Sequence, residues 1–109
     1  MGRGRRTHSD EFDHIRFLPY IRAKFQAIYR KEPWDLTFTE WCDFWSTPDL
    51  WSKRGRASNS LCLTRIEDDH AWSKDNCVLV YRLDHLKIKI LRKHGRDYQA
   101  YIEEVKIQQ

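Results

Sequence analysis

Hydrophobic positions near the start of the chain recur at helical spacing. They are Leu18, Ile21, Phe25 and Ile28. Intervals of three and four residues are typical of one face of a helix. Ser9 is a suitable N-cap for this helix, and acidic residues follow it in the first turn. We predict a helix over about 10–31, in which Pro19 either introduces a kink or starts a second helix.

The next apolar run carries its own start signal. Thr37-Phe38-Thr39-Glu40 matches a capping box and predicts a helix that reaches about Trp45. Its apolar side chains share one side, which favours core packing over base stacking for Trp41 and Trp45. Turn residues then predict a short helical turn through Trp51, followed by a polar loop to Asn59.

Strict alternation replaces the helical period in the next segment. Leu61–Ile66 and Cys77–Tyr81 are predicted strands, joined by a polar turn of about ten residues. Alternation places Leu61, Leu63 and Arg65 on one face of the first strand. The opposite face receives Cys62, Thr64 and Ile66.

Helical spacing returns after the second strand. We predict a helix over about 82–94, ended by Gly95 as a C′ residue. On a helical wheel Leu83, Leu86 and Ile90 form the inward stripe. The opposite, basic side consists of Arg82, His85, Lys89 and Arg92. A last helix over about 97–106 is expected to pack back on the body.

Length and composition complete the fold prediction. The 109 residues favour one domain, here 9–109, preceded by a basic arm at 1–8. The predicted class is α+β, a small helical domain around a β-hairpin followed by a helix. The net charge of +4 suits a polyanionic partner. Three cysteines without C-x-x-C spacing predict reduced thiols. We expect no membrane segment and a cytoplasmic location, in a cell or in an infected host.

Thr64-Arg65-Ile66 ends the first predicted strand, Asn76 stands directly before the second, and His85 lies in the first turn of the basic helix. This arrangement resembles the HNH (His-Me finger, ββα-metal) nucleases, in which an Asp-His-Ile run, a hairpin-pinning Asn and a helix metal ligand hold these positions. The local sequence is similar to the small bacteriophage-type branch of that family. Similarity extends over roughly residues 30–90. It implies a ββα-metal-like fold, DNA as partner, and Mg²⁺ or another divalent metal.

Two departures from that pattern fall where the family does its chemistry. Thr64 stands in place of a metal-binding Asp, and Arg65 in place of the general base. Arg stays protonated at working pH, so it cannot accept a proton from water. The resemblance then implies Arg65 as a phosphate clamp, His70 as a substitute base, and His85 with Asp69 as metal ligands.

Three functions follow as hypotheses. The first is a metal-dependent DNA endonuclease with Arg65, His70, Asn76 and His85 in its active site. The second is an inactive relative that binds DNA. Its nucleic-acid contacts would be Arg54, Arg56, Arg65, Arg82, Lys89 and Arg92. The third is a small phage protein that binds a host protein through an exposed Trp51 or Trp72. The oligomeric state is left open.

Overall fold

A two-stranded antiparallel hairpin lies between helices. The computed structural model describes residues 8–107, with side chains described from Ile15 onward. The helices are α1 (His8–Tyr29), α2 (Phe38–Phe44), α3 (Pro48–Ser52), α4 (Arg82–Lys93) and α5 (Tyr98–Val105). The strands are β1 (Leu61–Arg65) and β2 (Cys77–Tyr81), with a short 3-10 turn at Lys74–Asn76. This order confirms the α+β class. Of the predicted arm, residues 1–7 lie outside the described part of the chain.

The hairpin separates two apolar clusters, one on each face. Its register pairs Leu63 with Leu79 and Arg65 with Cys77. The face of Leu61 and Leu63 packs on a cluster that includes the buried residues Tyr20, Leu36, Trp41 and Trp45. The face of Cys62 and Ile66 packs on Val80, Ile88 and Ile102. The predicted alternation of β1 is therefore confirmed, although the strand ends at Arg65.

Helix α1 is continuous through Pro19. It packs on the cluster around Trp41 through the side that carries Arg16 and Tyr20, which differs from the predicted apolar side. Arg16 is buried and donates a 2.8 Å hydrogen bond to the Trp45 carbonyl. The Tyr20 hydroxyl donates to the Leu36 carbonyl at 2.6 Å. Leu18 and Phe25, which helped to predict the helix, are 53% and 59% exposed.

The capped elements form where they were predicted. The capping box of α2 is complete, since Thr37 and Glu40 each accept a backbone hydrogen bond from the other. Gly95 follows α4 with φ +67°, the left-handed conformation of a C′ glycine. Within residues 8–107, no helix is both long and apolar enough to cross a bilayer.

The predicted inward stripe of α4 is wrong. Leu83, Leu86 and Ile90 are 50%, 43% and 57% exposed, whereas Ile88 is fully buried. The reason lies in the polar contacts of the helix with its neighbours. Asp84 accepts a 2.7 Å hydrogen bond from the Tyr101 hydroxyl. Arg92 donates to the Arg65 carbonyl and lies 4.6 Å over the Tyr98 ring. These contacts turn part of the basic side inward.

Candidate functional site

A cleft of about 720 Å³ lies between α1, β1 and α4. Its lining is unusually rich in cationic side chains, while Glu32 supplies a carboxylate. The cations are Arg22, Arg30, Arg54, Arg56, Arg65, Arg82, Lys89 and Arg92. The structure thus brings together all six residues that the sequence suggested as nucleic-acid contacts, and it adds Arg22 and Arg30. Only the tertiary packing of α1 reveals these two.

The two helical walls place cations at regular intervals. Arg22 and Gln26 lie on one face of α1, and Arg30, directly after its end, continues the four-residue spacing. The α4 wall supplies Arg82, His85, Lys89 and Arg92 at intervals of three and four residues. Ten residues of helix correspond to about 15 Å of wall. Both rows therefore run along the cleft rather than converging on one point.

Arg54 and Arg56 come from the loop after α3. The protein holds the Arg54 side chain in place, whereas the Arg56 side chain is exposed to solvent. The Arg54 guanidinium lies 5.3, 5.2 and 4.7 Å from the rings of Trp41, Trp45 and Trp51. Such cation–π contacts hold it against the core. Arg56 is exposed. The loop thus contributes one fixed and one accessible cation to the end of the cleft.

Arg65 is held by the protein itself. Its guanidinium lies 3.3 Å from a Glu32 carboxylate oxygen, donates to the His70 carbonyl at 2.9 Å, and sits 5.3 Å over the Trp72 ring. Only 9% of its side chain is exposed. Burial opposes ionisation of Glu32, but hydrogen bonds from Trp72 and Arg30 and the charge of Arg65 keep its pKa below the ordinary value. Arg65 therefore organises the hairpin, and its role as a phosphate clamp stays a prediction.

Asn76 pins the hairpin turn. Its side-chain carbonyl accepts from the Glu67 amide, and its amide nitrogen donates to the Glu67 and Ala71 carbonyls, each at 2.9 Å. Its own carbonyl accepts from the Ile66 amide. This position matches the pinning Asn that the resemblance implied. Asn76 does not line the cleft.

His85 lies in the cleft as a neutral imidazole. Burial lowers its pKa to about 4, and the charges of Arg82, Lys89, Arg92 and Arg30 act in the same direction. Among the described residues its buried Nδ1 atom has no hydrogen-bond partner. The same holds for the hydroxyl of Thr64, which also lines the cleft and is 1% exposed.

The metal-ligand candidates lie apart from His85. Within the described chain, Glu67, Asp69 and His70 form a group whose ligand atoms lie within 4.8 Å of one another. All three are exposed on the hairpin turn, and a hydrogen bond with Asp69 raises the pKa of His70. His85 is not part of this group, so it does not join Asp69 in the predicted pair. The cations around His85 do not fit a divalent metal ion, which they would repel.

The tryptophans considered as protein anchors are only partly accessible. Trp51 packs edge-on against Trp41 at 6.1 Å. Trp72 packs on Trp34 at 5.9 Å and donates to Glu32 at 3.0 Å. Both are half-buried and held by these contacts. They are poor anchors because they are already engaged within the protein.

Comparison with protein-family models finds no match for this chain, and comparisons with curated proteins and with solved structures find none either.

We expect Asn76→Ala to destabilise the fold by about 1 to 3 kcal/mol, because it leaves partly buried backbone groups of Glu67 and Ala71 without their partners. Urea unfolding followed by tryptophan fluorescence measures the change. Asn59→Ala, in the exposed loop before β1, is the control and should change little. Equal effects of the two substitutions would contradict the pinning role.

We expect Thr64→Val to leave stability within about 1 kcal/mol of the original, or to increase it. Valine keeps the branched shape and removes a buried hydroxyl without a hydrogen bond. Thermal unfolding of Thr64→Val beside Thr64→Ala gives the comparison, since alanine also leaves a cavity. A loss for valine as large as that for alanine would show that the hydroxyl is needed.

Proposed function

We propose that this protein binds DNA and that the cleft between α1, β1 and α4 receives the phosphate backbone. The observation that carries the proposal is the concentration of eight cationic side chains in one cleft. The carboxylate of Glu32 is already paired with Arg30 and Arg65. Phosphate contacts by Lys and Arg provide nearly all of the affinity in nonspecific protein–DNA complexes and a large share of it in specific ones.

The cleft has the electrostatic character that an anion needs. Burial lowers the pKa of His85 far below its ordinary value, and the charges of Arg82, Lys89, Arg92 and Arg30 act in the same direction. A phosphate group entering the cleft lowers the mutual repulsion of these cations. The resemblance to HNH proteins supports DNA as the polyanion, because the cleft is built on the hairpin and helix that carry the resemblance.

We expect Lys89→Gln to weaken DNA binding and to reduce the salt slope by about one, because one phosphate contact is lost. Lys87→Gln is the matched control, since Lys87 is an exposed lysine of the same helix that does not line the cleft. Fluorescence anisotropy over a range of salt concentrations measures both quantities. Equal losses for the two variants would indicate nonspecific attraction instead of binding in the cleft.

A metal-dependent endonuclease is the second candidate. Two observations favour it: the grouping of Glu67, Asp69 and His70, and the neutral imidazole of His85 in the cleft. Against it, Arg65 cannot accept a proton and is held by Glu32. The imidazole of His85 also lies among cations. Binding without cleavage therefore accounts for more of the site.

We expect plasmid DNA to be retarded in a gel but to remain intact when incubated with the protein and Mg²⁺ or Mn²⁺. The same reaction with His85→Ala and with His70→Ala controls for trace nuclease. Metal-dependent nicking that either substitution abolishes would overturn binding without cleavage and establish the second candidate. Intact DNA without salt-sensitive retardation of either the plasmid or a single-stranded oligonucleotide would contradict both and favour a protein partner.

A further inference from the structure

Two aromatic rings are exposed on α1, on the same helical turns as residues that line the cleft. Phe25 is 59% exposed and Tyr29 is 88% exposed. They alternate along the helix with the cleft-lining residues Arg22, Gln26 and Arg30. Residues four apart lie on the same side of a helix, about 6 Å apart along its axis. The rings thus form an aromatic ledge next to one row of cleft cations.

The core does not account for this ledge. From Ile15 onward, the buried residues of α1 are Arg16, Tyr20 and Ala27, and they lie on another side of the helix. Exposed rings of this size gain nothing by facing water. Aromatic rings alternating with cations are the arrangement by which proteins hold an unpaired nucleic-acid strand, because cations follow the phosphates while bases stack on the rings.

We infer that the cleft takes single-stranded nucleic acid, with phosphates between α1 and α4 and unpaired bases stacked on Phe25 and Tyr29. This inference rests on the proposed function and names its substrate class. Charge complementarity supports the inference, since cations line the cleft from both helical walls and from its floor.

The shape of the site also favours a single strand over a duplex. Proteins that read duplex DNA commonly insert a helix or ribbon into a groove, so a convex protein element meets a concave nucleic acid. In this protein the binding site is itself a concave cleft, and its cations lie on several sides of a bound strand. The bases of a duplex are also stacked on one another, so their faces are covered. The bases of an unpaired strand are free to stack on Phe25 and Tyr29.

The test is fluorescence anisotropy with a labelled oligonucleotide of about 12 nucleotides, which falls within the usual size of single-strand sites. The same sequence as a duplex is the competing probe. We expect the single strand to bind at least tenfold more tightly. Phe25→Ala and Tyr29→Ala should each weaken single-strand binding about tenfold, without changing the salt slope, because stacking involves no counterion release.

The matched control is Ile28→Ala, an apolar residue of α1 that is 49% exposed and lies on the side of the helix opposite the cleft-lining residues Arg22 and Gln26. It should leave both affinities unchanged. Equal or tighter binding of the duplex, or indifference to Phe25→Ala and Tyr29→Ala, would overturn the inference and leave DNA binding standing. Absence of binding to either probe would overturn both.

A second copy of the chain is the competing occupant of the ledge. Sedimentation equilibrium of the protein and of the Tyr29→Ala variant tests it directly. A dimer that the substitution converts to a monomer, with single-strand affinity unchanged, would overturn the inference. A monomer in both cases, with weakened single-strand binding in the variant, is the result we expect.

Discussion

The ion pair between Arg65 and Glu32 connects the two halves of the molecule. Glu32 follows α1, whereas Arg65 ends the first strand of the hairpin, and their charged groups meet at 3.3 Å. Backbone hydrogen bonds reinforce this junction, because Trp72 donates to Pro33 and accepts from Asp35. The partly buried carboxylate needs its partners, since removing one partner of such a pair leaves a poorly solvated charge. The distance between the α1 wall and the floor of the cleft depends on this junction.

Once that junction is fixed, the cleft concentrates like charges that would repel one another. Burial lowers the pKa of His85, and the same crowding of cations adds to that effect. Folding must therefore supply the free energy that holds these cations together, from clusters such as Val80, Ile88 and Ile102. A bound polyanion would offset part of that free energy by reducing the repulsion among the cations. Marginal stability in a domain of this size makes such an arrangement costly unless it serves binding.

Local patterns predicted the elements, but only long-range contacts determined which sides were buried. The alternation in β1 assigned both faces because a strand has only two. The pattern of α4 is compatible with more than one buried side, and the predicted side of Leu83, Leu86 and Ile90 is the exposed one. Contacts of Arg92 with Arg65 and of Asp84 with Tyr101, 27 and 17 residues apart, decided its orientation. For the same reason the sequence located the cations of α4 and the loop but missed Arg22 and Arg30. Asn76 was predictable because its partners lie within the turn.

The two departures from the HNH pattern have one physical consequence in common. An Asp at position 64 would place a negative charge at the floor of the cleft, where threonine now contributes a neutral hydroxyl. A His at position 65 could not donate to His70 and pair with Glu32 in the way the Arg65 guanidinium does. Both replacements make the cleft less suited to a metal cation and more suited to an anion. Because one site cannot favour opposite charges equally, this electrostatic balance supports phosphate binding over metal-assisted hydrolysis.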